Sequence, residues 1–278
     1  MKLLGGVFMH LTKMQGLGND YLYFYGELPD PAAASVRLSD RHFGIGADGL
    51  ILIGPSETAD FKMRIFNADG SEAGMCGNGI RCLGKYVYDK GYTRKTRLSV
   101  ETRSGLRTLE LAVAQGKIAQ VTVHMGRAEV GETLTLSVGG QSVTCIPVSM
   151  GNPHAVLFVD DAERAPLTTL GPALQRHEAF PDGVNVELVQ VLDRRTLRMR
   201  VWERGSGVTL ACGTGACACA AAAVQRGLCH GNTNLTVRLD GGDLCVRVGE
   251  DYQVKMTGPA ETVCECEVAG DPVPSSAP

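Results

Sequence analysis

Ala211-Cys212-Gly213-Thr214-Gly215-Ala216-Cys217-Ala218-Cys219-Ala220-Ala221-Ala222-Ala223-Val224 is the stretch that decides the fold. From Gly215 to Val224 every side chain is small or apolar, and Gly227 follows as a stop signal. Alanine is the best helix former, so the run reads as a helix. It has no polar face, and a helix that is apolar all round is buried on every side. Strands wrapped around it would provide that burial. Immediately upstream, Thr196–Glu203 alternates apolar and polar residues as a half-buried strand does.

The same signature occurs 136 residues earlier, where Gly70-Ser71-Glu72-Ala73-Gly74-Met75-Cys76-Gly77-Asn78-Gly79 again sets a cysteine before Gly-polar-Gly. Lys62–Asn67 alternates before it. After it, Ile80, Leu83 and Val87 share one helical face that ends near Gly91. Gly18-Asn19-Asp20 recurs as Gly151-Asn152-Pro153, Arg41-His42 as Arg176-His177, and Val123-His124-Met125 as Val254-Lys255-Met256. Matches in one order at nearly constant offset indicate a diverged tandem duplication, with a period far too long for a solenoid. The expected fold is α/β of the α+β type: two pseudo-symmetric lobes, 9–145 and 146–268, each with mainly antiparallel strands around a central helix. Hairpin turns are expected at Arg103-Ser104-Gly105, Gln115-Gly116, Asp240-Gly241-Gly242 and Gly249-Glu250-Asp251. Residues 1–8 precede the repeat, as an N-terminal extension or through a misassigned start upstream of Met9. The Pro- and Ser-rich residues 269–278 read as a flexible tail.

Bulk composition narrows the function. The 278 residues are 44% hydrophobic and 21% charged, with a net charge of −3, so neither nucleic acid nor an anionic membrane is an expected partner. No apolar run approaches the ~20 residues that span a bilayer, and Leu3–Met9 lacks a signal-peptide pattern, so the expected location is cytoplasmic. Ten dilute cysteines read as free thiols in a reducing compartment. Cys217/Cys219 and Cys264/Cys266 are Cys-x-Cys pairs, too sparse in further ligands to indicate a metal. They read as small buried side chains or as strand residues facing opposite ways.

The paired cysteines carry the chemistry. A helix N-terminus favours a thiolate and can lower a thiol from its usual pKa of ~8.5; stabilisation by ~1.4 kcal/mol makes the thiolate tenfold easier to form. Inverting a carbon bearing an acidic hydrogen takes a base on one face and an acid on the other, which two thiols can supply in exchanged roles. The carbanion needs help as well. The backbone N–H groups of Gly77-Asn78 and Gly213-Thr214, at two helix N-termini, can hold the substrate carboxylate and spread its charge.

Together with Gly16-Leu17-Gly18-Asn19-Asp20, Phe66-Asn67-Ala68-Asp69-Gly70, Gly151-Asn152-Pro153-His154 and Glu203-Arg204-Gly205, these segments resemble the diaminopimelate epimerase family over roughly residues 9–268. The resemblance implies catalytic Cys76 and Cys212, acting without pyridoxal phosphate or metal, and a small amino acid substrate interconverted between LL- and meso-diaminopimelate. It implies substrate contacts from Asn19, Asn67, Asn152, Asn185, Glu203 and Arg204. It sets His154 near Cys76 and Glu203 near Cys212, and it implies a homodimer. Three positions depart from the family pattern: Gly49 where some members carry Gln, Gln15 where His is common, and Trp202 where Tyr is common. No substrate contact is expected of Gly49.

Other readings are weaker. Gly44-Ile45-Gly46-Ala47-Asp48-Gly49 fits a dinucleotide fingerprint formally but precedes a strand-like segment. Gly213-Thr214-Gly215-Ala216-Cys217-Ala218 opens a helix but lacks the acidic residue about twenty positions on. His42 and His177 read as structural. Glu203-Arg204, between strand and cysteine loop, reads as a buried functional pair. A proline- or histidine-type racemase would keep the mechanism, but its substrate has no distal end for the asparagines and Glu203-Arg204 to grip. A binding protein or a metal-dependent isomerase on the same scaffold are the remaining alternatives.

Overall fold

The computed structural model of the protein describes residues 8–269. The described residues divide into two units, 8–121 with 259–269 and 122–258. Most of the expected extension, residues 1–7, and the tail from 270 onward lie outside the described residues; Phe8 and Ala269 are already strand residues.

In the first unit β1 (Phe8–Gly16) pairs antiparallel with β2 (Asn19–Tyr25). The chain crosses through α1 (Pro31–Ser39), whose start Asp30 caps by accepting from the Ala33 N–H. It returns as β3 (Gly49–Gly54), parallel to β2. β4 (Phe61–Asn67) pairs antiparallel with β3 and with the short β5 (Glu72–Ala73). Then come α2 (Gly77–Asp89), β6 (Arg97–Thr102) parallel to β4, β7 (Gly105–Ala114) antiparallel to β6, and β8 (Lys117–Arg127).

From β11 onward the second unit repeats this order, with two short strands added ahead of it. β9 (Glu129–Val130) and β10 (Leu134–Val138) both pair with β11 (Gln141–Ser149), which pairs antiparallel with β12 (Pro153–Phe158). A crossover through α3 (Leu167–Gln175) leads to β13 (Asn185–Asp193), parallel to β12. β14 (Thr196–Glu203) is antiparallel to β13 and to β15 (Gly207–Thr209). α4 (Gly213–Gln225), β16 (Asn234–Leu239) parallel to β14, β17 (Gly242–Val248) and β18 (Gln253–Gly258) complete it. The last strand, β19 (Glu261–Ala269), pairs with β1. The architecture is thus the expected duplicated α+β fold.

The lobe boundary is displaced from the expected 145/146. Residues 122–145 pack with the second unit because the C-terminal part of β8 meets β18, where Thr122 and Thr257 hydroxyls are 2.7 Å apart. Residues 259–269 join the first unit because β19 is hydrogen-bonded along β1. The repeated Arg41-His42 and Arg176-His177 each follow a crossover helix. His42 uses its backbone N–H to reach the Asp40 carboxylate, and His177 Nδ1 accepts from the Ala179 N–H, both local turn roles.

α4 is sealed as its composition requires: residues 216–223 are fully buried against β11, β12, β13, β14, β16, β17 and β18. α2 buries its apolar face against β1, β2, β7 and β19. Both helices stop as expected, with Gly91 and Gly227 at positive φ just past their ends. No helix among the described residues is long and apolar enough to cross a membrane.

Cys217 and Cys219 are buried inside α4. Cys264 and Cys266 contradict expectation: Cys264 is exposed, and the two sulfurs lie 3.6 Å apart because residues two apart on a strand share a face.

Ala220 has no space around it, so Ala220→Leu is expected to cost about 1–3 kcal/mol by overpacking. Urea denaturation measures this; an unchanged midpoint would contradict a sealed helix.

Candidate active site

Each cysteine is the N-cap of its helix. Cys76 has extended φ/ψ of −134°/118° and Cys212 of −119°/109°, the non-helical geometry a cap requires. The third helical residue is glycine in both, and the reason is space. A Cβ at Gly79 would lie 2.7 Å from Ile51 and 3.6 Å from the Cys76 sulfur. One at Gly215 would lie 2.7 Å from Glu187 Oε1 and 3.3 Å from the Cys212 sulfur. Helix geometry points the Gly77 and Asn78 N–H groups, and those of Gly213 and Thr214, out of the helix ends. This gives each thiol a neighbouring anion-binding terminus.

In the first unit the Gly79 N–H donates to the Cys76 sulfur at 3.3 Å, and the Cys76 thiol donates to Asn19 Oδ1 at 3.3 Å. Asn19 Nδ2 in turn donates to Asp48 Oδ2 at 2.9 Å. Asp48 receives Arg41 at 3.1 Å, which gives the repeated Arg41 its role. Burial raises the Asp48 carboxyl. The Tyr21 phenol, pushed up by burial and by the nearby Cys76 charge, hydrogen-bonds Cys76 and Asn19. Its ring explains Gly49, where a side chain would meet Phe66 O at 2.1 Å and Tyr21 at 2.9 Å. Asn67 reaches Ser71 Oγ at 3.0 Å and so braces the loop ahead of Cys76. The Asn78 side chain accepts from Arg81 Nη1 at 2.9 Å. Gln15 accepts from the Gly18 N–H at 2.8 Å, steadying the turn before Asn19.

In the second unit Cys212 Sγ lies 3.6 Å from Thr214 Oγ1, and Asn152 Nδ2 donates to the same hydroxyl at 3.3 Å. Asn152 Oδ1 faces His154 Nε2 at 3.2 Å, and His154 Nδ1 faces Glu187 Oε1 at 2.6 Å. His154 is a buried residue of β12. The Cys212 thiol donates to Glu203, which also accepts from Thr209 Oγ1 at 2.5 Å. Burial raises the Glu203 carboxyl, and the Glu187 charge adds to this. Burial likewise raises the Cys212 thiol, reinforced by Glu203 and then Glu187, so Cys212 is held as the protonated thiol.

Glu203 and Arg204 do not form the expected buried pair. Glu203 ends β14 and turns to Thr209, while Arg204 lies in the turn that follows, is exposed, and donates to Asp182 O at 2.7 Å. Asn185 Oδ1 accepts the Arg204 N–H at 2.8 Å. Trp202 packs on Gly171 and donates to Gln175 at 2.6 Å, holding α3. Residue-by-residue reading missed Asp48, Tyr21, Thr209 and Glu187. Of these Glu187 had a signal, a lone charge in the apolar run Val184–Val189.

The family model described as diaminopimelate epimerase matches residues 11–131 and 146–263. The diaminopimelate epimerase of Acetivibrio thermocellus is 50% identical over 277 residues, 94% of this chain and 98% of that protein. That of Phocaeicola vulgatus is 52% identical over 275 residues, 92% and 97%. Among solved structures, the hydroxyproline epimerase of Agrobacterium vitis matches with a TM-score of 0.74 at 19% identity, covering 95% of this chain and 93% of that one. The chain belongs to the diaminopimelate epimerase family of isomerases.

A carboxyl raised on folding binds its proton more tightly in the native state. The cost of charging Glu203 therefore sets in as pH rises past the ordinary carboxylate range and is complete above its raised value. The stability of Glu203→Gln relative to the parent is expected to improve from pH 4 to pH 8. Urea denaturation at both pH values measures it; a constant difference would show that Glu203 is not raised.

Proposed function

We propose that this chain interconverts LL- and meso-diaminopimelate by passing a proton across the α-carbon between two cysteines. The observation that carries the reading is the repeated N-cap thiol: Cys76 and Cys212 each stand at the start of a buried helix with glycine three residues on. One thiol must be thiolate while the other is thiol. The environment of Cys212, with Glu203 and Glu187 beside it, supports Cys212 as the resting thiol. With LL substrate Cys76 is then the base and Cys212 the acid, and with meso substrate the roles exchange.

The remaining positions follow the same reading. When a substrate proton arrives on Cys76 the thiol can be held by Asn19, and Cys212 can pass its proton towards Glu203 before acting as base. The Gly77-Asn78 and Gly213-Thr214 N–H groups receive the carboxylate of the reacting end, where carbanion charge develops. Asn67, Asn152, Asn185, Glu203 and Arg204 bind substrate, most of them at its distal, non-reacting end. The dication-and-two-carboxylate character of diaminopimelate suits such a polar set, and a smaller amino acid would leave it unpaired. The chemistry calls on no cofactor. The reading includes a homodimer in the cytoplasm and a step towards lysine and cell-wall precursors; ten cysteines outside any disulfide suit a reducing compartment.

Reduced protein without added cofactor is expected to convert LL- to meso-diaminopimelate. Cys76→Ala and Cys212→Ala should each lower kcat by about 10²-fold or more, since each removes an acid–base group. Stereoisomer analysis by chiral chromatography measures it. Full activity in either variant would contradict the two-thiol reading, and turnover of proline but not diaminopimelate would contradict the substrate.

A further inference from the structure

We infer that Glu187 is a positioning residue for the second thiol: its buried carboxylate fixes the polarity of a hydrogen-bond chain that runs through His154, Asn152 and Thr214 to Cys212. The inference deepens, and rests on, the reading of Cys212 as an acid–base thiol.

Glu187 has no solvent exposure, yet it lies in a strand whose neighbours are Val184, Val186, Leu188 and Val189, all buried. A buried carboxylate is costly unless it is bonded for a purpose. Glu187 uses one oxygen: Oε1 faces His154 Nδ1 at 2.6 Å, while Oε2 has no hydrogen-bond partner among the described residues. The fold makes room for it under the α4 N-terminus by omitting a side chain at Gly215. The helix dipole there favours a negative charge.

The donors and acceptors along the chain are ordered. Asn152 Oδ1 can only accept, so the His154 Nε2 that faces it at 3.2 Å carries a hydrogen. A second proton then lies in the short bond between His154 Nδ1 and Glu187 Oε1. Asn152 Nδ2 donates to Thr214 Oγ1 at 3.3 Å, which leaves the single hydroxyl hydrogen of Thr214 for the Cys212 sulfur 3.6 Å away. Every link donates in the same direction, away from the ring and towards the thiol. The sulfur is thereby offered a donor on its Thr214 side and the Glu203 acceptor on the other. It can give its proton to Glu203 and be left as a hydrogen-bonded thiolate.

Without a carboxylate at 187 nothing retains the second proton on the pair. A neutral ring keeping Nδ1–H would turn its Nε2 lone pair to Asn152. The amide would turn over, its Oδ1 would take the Thr214 hydrogen, and the sulfur would lose its donor. His154 therefore acts on Cys212 only through Asn152 and Thr214, and Glu187 only through His154.

The test uses the ¹⁵N-histidine-labelled full chain, with His154 assigned by through-bond correlation to its backbone. In the parent, Nε2 of His154 is expected to carry a directly bonded hydrogen. In Glu187→Gln it should lose that hydrogen, while kcat for diaminopimelate falls about 10–100-fold and KM stays within about threefold. A parent His154 with a bare Nε2 overturns the inference, and this measurement needs neither a folded variant nor any activity. A folded Glu187→Gln with an unchanged Nε2 signal, or with kcat within about twofold of the parent, also overturns it.

Discussion

The structure depends on one constraint: a helix sealed inside strands still has to satisfy the N–H groups of its first turn. In α4 the sealing is complete along residues 216–223, so water cannot solvate that end from the sides. Both buried helices start at a cysteine N-cap, whose side chain makes a cap hydrogen bond in α2 and none in α4. In α2 the sulfur takes the Gly79 N–H itself. Glycine three residues on keeps that space clear in both helices. The raised Cys212 thiol is thus a consequence of how the core is packed, and the same packing explains why α4 is so rich in alanine. A larger residue would push the strands away, and a polar one would be stranded.

The duplication repeats the backbone but not the electrostatics. Cys76 meets a neutral amide, Asn19, and a phenol, Tyr21. Cys212 meets the Glu203 carboxylate, with Glu187 behind it. Two carboxylates in a buried site oppose a third negative charge on sulfur, which burial alone already disfavours. In the proposed proton transfer such a bias lets Cys212 rest as the acid. Asn67 closes β4 where Glu203 closes β14, so a single substitution at equivalent strand ends accounts for much of the difference.

Much of this was legible in the residues. The Ala-rich run dictated a buried helix, the repeats dictated two similar units, and the cysteine contexts located both thiols. The turns at Gln115-Gly116 and Asp240-Gly241 followed from their dipeptides. Other features depend on partners distant in sequence. The boundary near 121 is set by β8 meeting β18, and the one near 259 by β19 pairing with β1, which no local pattern encodes. Glu203-Arg204 looked like a pair because the residues are adjacent, whereas β14 ends between them and the turn carries Arg204 away. The contacts of Trp202 with Gln175 and of Gln15 with the Gly18 N–H exist only once α3 and the Leu17-Gly18 turn are in place. Glu187 stood out as a charge in an apolar strand, but its partner His154 is thirty-three residues away.

The central claim is that two different groups exchange protons on opposite faces of one carbon. The most direct measurement starts the reaction separately from LL- and from meso-diaminopimelate in D₂O and reads α-deuterium by mass spectrometry at low conversion. Two thiols predict deuterium in the newly formed isomer and almost none in the recovered starting isomer, from either direction, because the departing proton stays on one cysteine while the other delivers a solvent-derived deuteron. Equal early labelling of recovered substrate and product would mean that a single base serves both faces, and would contradict the account.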